Sequence, residues 1–172
     1  MKLEATRVAS PFGDLLLFAH DGALCALGWS DQRDELRRLL ERRFGSFTRV
    51  ETRDPAGAVT ALEKYADGDI AALDSVAVDT GGTEFQQRVW RALRTIPVGT
   101  TTSYGALARS LGEPRAMRAV GAANGRNPVP IVIPCHRVIA SDGSLHGYGG
   151  GLDRKRMLLD HERRHAGAPQ LV

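Results

Sequence analysis

Short apolar segments separated by turn residues make up the first 30 positions of the chain. Residues 3–8, 15–20 and 23–29 each have the length of a strand, with Pro and Gly in the first gap and Asp and Gly in the second. This spacing predicts three strands joined by turns. We expect them to form an antiparallel meander.

Apolar residues then recur at the three- to four-residue spacing of a helix. Leu36, Leu40 and Phe44 recur on one helical face, with Leu39 beside them. Ser30 stands where an N-cap is expected, and Gly45 follows the last apolar position. The pattern predicts a helix between these two residues.

A strand over residues 47–51 and a helix over residues 54–68 complete the first part of the chain. No polar cluster of a kind that performs chemistry falls in this α/β segment, and we interpret it as a scaffold. The glycines that close residues 79–82 mark a boundary. We therefore expect domains at 1–80 and 83–172.

The second half begins with helices. Thr83 and Gln86 have the spacing of a capping box, and Phe85, Val89 and Leu93 follow on one helical face. Pro97 and Gly99 stop this helix.

Two short helices follow it. Ser103 is placed to cap a helix over Tyr104–Ser110, and Pro114 is placed to begin the next one. Short helices joined by about three residues are typical of a helix-turn-helix, although such pairs also occur in helical cores. Arg118 on the second helix is surrounded by small residues that would let a backbone approach DNA. These are Ala116, Ala119, Gly121, Ala122 and Ala123.

The candidate chemistry lies at Cys135. An apolar run over residues 131–133 leads through Pro134 to this thiol, with His136 directly after it. We predict a stiff, buried strand here. A thiolate is a nucleophile that a neighbouring base can generate, whereas many buried cysteines are only small, inert apolar side chains. The residues alone leave both interpretations open.

Two further segments close the chain. The glycine-rich loop at residues 147–151 could either bind the edge of a ligand through its backbone amides or simply connect two elements. It is not a P-loop, because the residues that would complete that motif do not follow it. A last helix is predicted over residues 153–165. Taken alone, Glu162 on it resembles an ordinary solvated carboxylate. The predicted inward face consists of Met157, Leu158 and His161.

Charge is unevenly distributed. Residues 1–82 hold 10 Lys or Arg and 14 Asp or Glu, a net −4, whereas residues 83–172 hold 13 and 6, a net +7. Twelve of those 13 cations are arginines, which suit phosphate and base contacts. The asymmetry favours a polyanionic partner for the second half, although many single arginines simply solvate helices.

The two cysteines, Cys25 and Cys135, are too far apart in sequence to indicate a disulfide framework or a zinc pair. The apolar stretch near the N-terminus is interrupted by Asp14 and His20, so we expect neither a signal peptide nor a membrane span. A reducing cytoplasm is the expected location of a free reactive thiol.

Several motifs, in this order and spacing, resemble those of the O6-alkylguanine-DNA alkyltransferases, most strongly over residues 83–162. The motifs are Ser103-Tyr104, Arg118-Ala119-Val120-Gly121, Asn127-Pro128-Val129-Pro130, Ile133-Pro134-Cys135-His136-Arg137-Val138-Ile139 and Tyr148-Gly149-Gly150-Gly151-Leu152.

The resemblance implies repair of O6-alkylguanine, and of O4-methylthymine, in double-stranded DNA by base flipping and irreversible alkyl transfer to the protein, each molecule acting once. It implies an α/β ribonuclease H-like N-terminal domain and a mainly α C-terminal domain with a helix-turn-helix of winged-helix-like form. It implies no cofactor and a monomer, with clustering on DNA left open. We expect no metal, because only His20 and Cys25 are available in the first part of the chain.

The resemblance also assigns roles. Cys135 would accept the alkyl group, His136 would take its proton through a water, Glu162 would orient His136, Asn127 would brace the turn, and Tyr104 would protonate the departing guanine. Arg118 would fill the space that the flipped base leaves. The remaining implied DNA contacts are Ser103, Tyr104, Ala116, Ala119, Gly121 and Arg126. The implied pocket residues are Pro130, Val138, Tyr148 and Gly149.

Three other classes of protein share parts of this pattern. Alkyltransferase-like proteins bind lesions without repairing them and lack the acceptor, so Cys135 disfavours that class. A transcription factor that uses only a helix-turn-helix would need none of Cys135, His136 and Glu162. A cysteine hydrolase would turn over repeatedly, which distinguishes it from a protein that acts once.

Overall fold

The computed structural model describes residues 1–145 and 147–166. Within it the chain divides into two compact units, Met1–Gly81 and Gly82–Val172. The first contains a four-stranded sheet with two helices, and the second is mainly helical. The elements of the first unit are β1 (Lys2–Val8), β2 (Leu15–His20), β3 (Ala23–Trp29), α1 (Arg33–Phe44), β4 (Thr48–Glu51) and α2 (Ala58–Ala66).

The predicted antiparallel meander is confirmed. β1 pairs with β2 and β2 pairs with β3, both antiparallel, while β4 adds to the free edge of β1 in the parallel direction. The strand order is therefore β3-β2-β1-β4. A single parallel bridge between Leu24 and Val78 lies on the outer side of β3.

Helix α1 covers one face of the sheet. Leu36 and Leu40 pack into a buried cluster with Leu3, Leu16 and Phe18 of the strands. Gly28 of β3 allows this contact, because a Cβ at that position would stand 2.1 Å from Leu36 Cδ1. The expected cap for α1 is wrong: Ser30 begins a 3₁₀ turn, Ser30–Gln32, and makes no capping hydrogen bond.

The second unit begins with a helix, Glu84–Leu93, and the capping box predicted at its start is confirmed. Thr83 Oγ1 accepts from Gln86 N at 3.1 Å, and Gln86 Oε1 accepts from Thr83 N at 3.0 Å. Ser103 caps its predicted helix by accepting from Ala106 N at 3.1 Å. The elements of this unit are α3 (Glu84–Leu93), β5 (Thr102–Ser103), α4 (Tyr104–Ser110), α5 (Met117–Gly125), β6 (Val138–Ile139) and α6 (Leu152–Ala166).

Three predictions for this unit are wrong. Helix α5 begins at Met117 and not at Pro114, because a turn closed by Ala116 N donating to Glu113 O precedes it. Met157 is 43 % exposed, whereas Lys155 occupies the buried face of α6 in its place. The apolar run at Cys135 is buried but is not a strand: Ile133 makes one isolated bridge with Pro130, and the two-residue β6 after the cysteine pairs in parallel with β5.

Candidate active site

Cys135 lies in a tight turn that its neighbours impose. Pro134 has no N–H to give to a sheet, and Cys135–Arg137 form a 3₁₀ turn closed by Arg137 N donating to Pro134 O at 3.0 Å. Ile131 upstream has a φ of +74°, which is rare for a β-branched residue. Such strain persists where surrounding structure enforces it, and it is concentrated at functional sites.

The Asn127 side chain makes two hydrogen bonds to the backbone of this segment. Its Nδ2 donates to Ile133 O at 2.8 Å, and its Oδ1 accepts from Val129 N at 2.9 Å. One side chain thereby bridges both ends of the segment that leads to Cys135. The structure thus gives Asn127 bracing contacts.

His136 and Glu162 form a buried pair. His136 Nε2 lies 2.7 Å from Glu162 Oε2, and the two side chains are 0 % and 1 % exposed. His136 Nδ1 is buried and has no hydrogen-bond partner among the residues described. The Glu162 carboxylate favours the tautomer with its proton on Nε2, which leaves Nδ1 as the basic atom.

Arg137 completes the cluster from the other side of Glu162. Its Nε donates to Glu162 Oε1 at 2.8 Å, its Nη2 donates to Oε2 at 3.1 Å, and its Nη1 donates to Ile96 O at 2.8 Å. Burial alone would raise the pKa of Glu162, but hydrogen bonds and charge from His136 and Arg137 hold that pKa well below its ordinary range. The carboxylate is therefore ionised at neutral pH.

The Cys135 thiol is neutral at rest. Burial raises its pKa to about 11, although the nearby Asn127 and Tyr148 side chains and the charge of Lys155 oppose the rise. A thiol of this pKa supplies little thiolate at pH 7, so a nucleophilic role requires a general base. His136 Nδ1 is a base next to it in sequence.

Lys155 is a cation at this site that the sequence analysis did not single out. Its side chain is fully buried, and its Nζ donates to Val138 O at 2.7 Å. Burial lowers the pKa of Lys155, and the proximity of Cys135 opposes that shift. A signal was present, because Lys155 lies three, four and seven residues before the buried positions Leu158, Leu159 and Glu162 of the same helix face.

An open cavity of about 560 Å³ lies beside these groups in the second unit. Five of the residues predicted for DNA or substrate contact line it together: Tyr104, Arg118, Gly121, Tyr148 and Gly149. Gly147 of the glycine-rich loop also lines it, as do Met117 and Gly125, which were not predicted to make contact. The cavity is thus formed by the start of α4, one side of α5 and the glycine-rich loop.

The other predicted contact residues lie outside that lining. Ser103 caps α4, Pro130 forms an isolated bridge with Ile133, and Val138 offers its carbonyl to Lys155. Ala116 precedes α5, while Ala119 and Arg126 are exposed on and just after it.

Tyr104 lines the cavity and also lies near Cys135. Burial and the nearby Cys135 raise the pKa of its phenol, and the nearby Asn124 side chain opposes the rise. The ring lies close to α5, since a Cβ added to Gly121 would be 3.8 Å from Tyr104 Cδ1. A protonated phenol can donate a proton to a ligand in the cavity.

The described residues offer neither a metal site nor a membrane-spanning helix. Residues 1–145 and 147–166 contain no group of three or more His, Cys, Asp or Glu side chains placed to hold a metal ion. No helix in those ranges is both long and apolar enough to cross a membrane.

Known proteins resemble the chain over both of its units. A family model described as "6-O-methylguanine DNA methyltransferase, DNA binding domain" matches residues 84–164. The methylated-DNA–protein-cysteine methyltransferase of Salmonella typhimurium is 45% identical over 165 residues, covering 94% of this chain and 96% of that protein. The protein of the same name from Mycolicibacterium paratuberculosis is 49% identical over 166 residues, covering 96% of each. The crystal structure of Mycobacterium tuberculosis OGT in complex with DNA is 40% identical, with a TM-score of 0.76, and the match covers 98% of this chain and 96% of that one.

Proposed function

The chain belongs to the methylated-DNA–protein-cysteine methyltransferases and repairs DNA by direct alkyl transfer, and from this premise we propose that Cys135 is the acceptor. The observation that carries the assignment is the buried Arg137–Glu162–His136 cluster, which leaves one basic nitrogen on the residue beside Cys135. The other cysteine, Cys25, is fully buried in the first unit and donates to Phe18 O at 3.3 Å.

The proposed reaction needs one bond made and one broken. His136 Nδ1 takes the Cys135 proton through a water, and the sulfur attacks the alkyl carbon in line with its bond to guanine O6. The S–C bond forms as the C–O6 bond breaks. Since no carbonyl adduct forms, no oxyanion hole is required.

Tyr104 is the proposed acid for the departing base. Its phenol gives a proton to guanine N3 and regains one from solvent once the base has left, while His136 releases the thiol proton to solvent. The Gly149 backbone N–H is proposed to donate a hydrogen bond to guanine O6. The Val138 carbonyl, which accepts from Lys155, keeps a second lone pair for the exocyclic amine. Pro130 and Tyr148 are the proposed walls of the pocket.

The proposed substrate is O6-alkylguanine in duplex DNA, together with O4-methylthymine, whose alkyl group is also carried on an exocyclic oxygen. A base in the stack hides this oxygen, so it has to be flipped out at a cost of a few kcal/mol. Arg118 is exposed in the first turn of α5 at the cavity and is proposed to fill the vacated space. The flanking small residues then permit close approach to the minor groove.

The fold of each unit, the oligomeric state and the cellular location are also part of the proposal. Helices α4 and α5 are proposed as a winged-helix-like helix-turn-helix, with Ser103 and Arg126 at the DNA backbone, and the first unit as a ribonuclease H-like scaffold. The protein is proposed to act as a monomer in the cytoplasm, where reducing conditions keep Cys135 a thiol.

Intact mass spectrometry tests the acceptor. After incubation with a duplex carrying one O6-methylguanine, the protein is expected to gain one methyl group, located by peptide mapping on Cys135. With excess duplex the yield is expected to stop at one repaired base per protein. An unmodified protein, a methyl group elsewhere, or continued turnover would each rule out the proposal. The same duplex with unmodified guanine is the control.

Arg118→Ala tests the flipping role. Repair of the duplex is expected to slow about tenfold or more, the effect of losing roughly 1.4 kcal/mol in the flipped state, while reaction with free O6-benzylguanine stays within about twofold of wild type. Single-turnover rates measure both. Arg115→Ala is the matched control, because Arg115 is also exposed but lies outside the cavity lining. Equal slowing with both substrates would contradict the role.

A further inference from the structure

Asn124 is a buried polar residue on the core side of α5. It lies four residues after the fully buried Val120 and three after Gly121, which places it on the helix face directed toward Tyr104. Its exposed fraction is 4 %. An apolar side chain is the usual occupant of such a position, so the amide needs an explanation.

The amide contacts two parts of the proposed active site. Asn124 Nδ2 donates to Cys135 O at 3.4 Å, a buried hydrogen bond between α5 and the turn that carries the thiol. The Asn124 side chain also lies close enough to the Tyr104 phenol at the start of α4 to lower its pKa, against the rise that burial causes. One side chain therefore links the backbone of the nucleophile to the phenol.

Stability alone accounts poorly for this amide. Asn124 Oδ1 is buried and has no hydrogen-bond partner within the described ranges. A buried unpaired acceptor costs about 1–3 kcal/mol, which largely offsets what one long hydrogen bond of the same side chain contributes. An apolar residue of similar volume would avoid that cost.

We propose that Asn124 is a positioning residue for alkyl transfer, whose amide holds the Tyr104 phenol at a fixed place relative to Cys135. The inference rests on the proposed role of Tyr104 as proton donor. An amide N–H close to the phenol oxygen stabilises the negative charge that develops there as the proton moves to guanine N3. It also opposes repulsion from the Cys135 sulfur, which carries negative charge at the same stage.

A double-mutant cycle tests this role. The rate of a single turnover with free O6-benzylguanine is measured for Tyr104→Phe, Asn124→Leu and the double variant, so that DNA binding does not contribute. Tyr104→Phe is expected to slow transfer about 100-fold, as loss of a general acid does, and Asn124→Leu about tenfold. The double variant is expected to be no slower than Tyr104→Phe within about twofold, because Asn124 acts through the phenol.

A structural role would give a different result. Val120→Ala, a matched change at a buried position of α5, is expected to lower the Tm, leave the rate within about twofold, and add independently to Tyr104→Phe. Asn124→Leu is expected to keep its Tm, because it removes an unpaired acceptor. If Asn124→Leu fails to fold, Asn124→Ala replaces it in the same cycle.

The outcomes distinguish the proposed donor role of Tyr104 from the proposed positioning role of Asn124. A wild-type rate for Tyr104→Phe would overturn the donor role and the Asn124 role with it. A slow Tyr104→Phe with an unaffected Asn124→Leu would leave the donor role standing and overturn only the positioning role. If the slowing in the double variant equals the product of the two single effects, the positioning role is overturned as well, and the donor role stands.

Discussion

Cys135→Ser is expected to abolish methyl transfer while leaving binding to the methylated duplex within about threefold of wild type. A serine hydroxyl has almost the shape of the thiol but ionises far less readily, so His136 cannot generate a nucleophile from it. Loss of a nucleophile typically costs 10⁴-fold or more in rate. The thiol is neutral at rest and 5 % exposed, so its replacement removes no charge from the DNA-facing surface. Intact mass and fluorescence anisotropy measure the two effects.

Cys25→Ser is the matched control. Cys25 is the other free thiol, it is also buried, and burial raises its pKa to about 11 as well, so the two cysteines differ mainly in their neighbours. Transfer is expected to survive this change. Methylated Cys135→Ser protein, or loss of transfer in Cys25→Ser, would place the acceptor elsewhere than proposed.

Local patterns were enough to predict most of the helices and strands. The meander follows from apolar segments separated by turn residues, and the capping contacts of Thr83, Gln86 and Ser103 depend on residues at most three apart. The error at Cys135 arose because an apolar pattern was given more weight than the chain breaker beside it. At Cys135 the apolar run indicated a strand, but Pro134 and the positive φ of Ile131 turn the chain.

The chemistry of the site was only partly visible in the sequence. Cys135 and the neighbouring His136 stood out from the residues alone, and the role of Glu162 came only from the motif resemblance. Arg137, Lys155 and Asn124 were assigned no role. Burial of a charged or amide group depends on partners that are distant in sequence: Arg137 meets Glu162 25 residues later, and Asn124 meets Cys135 11 residues later. Helical spacing did place Lys155 and Asn124 on apolar faces, and that signal identifies both for mutation.

Glu162→Gln is expected to lower the free energy of unfolding of the second unit by about 3–5 kcal/mol at pH 7. The change leaves the buried Arg137 guanidinium without its counter-ion, and breaking a buried ion pair from one side has effects of this size. Transfer is expected to slow about 100-fold or more, because a glutamine no longer selects the His136 tautomer with a basic Nδ1. Urea unfolding and single-turnover kinetics measure the two effects. Asp160→Asn, the same type of change at an exposed position of α6, is expected to alter neither.

The pH dependence distinguishes the lost charge from altered packing. Since the pKa of Glu162 is held below its ordinary value near 4.3, the folded protein keeps this carboxylate ionised while the unfolded chain takes up a proton as the pH falls. The stability that Glu162 contributes is therefore fully present above about pH 5 and declines by about 1.4 kcal/mol per pH unit below pH 4. The gap between wild type and Glu162→Gln is expected to narrow accordingly between pH 5 and pH 3. A gap of constant size over that range would mean that the glutamine destabilises through shape alone, and that the carboxylate charge contributes nothing to holding His136 and Arg137.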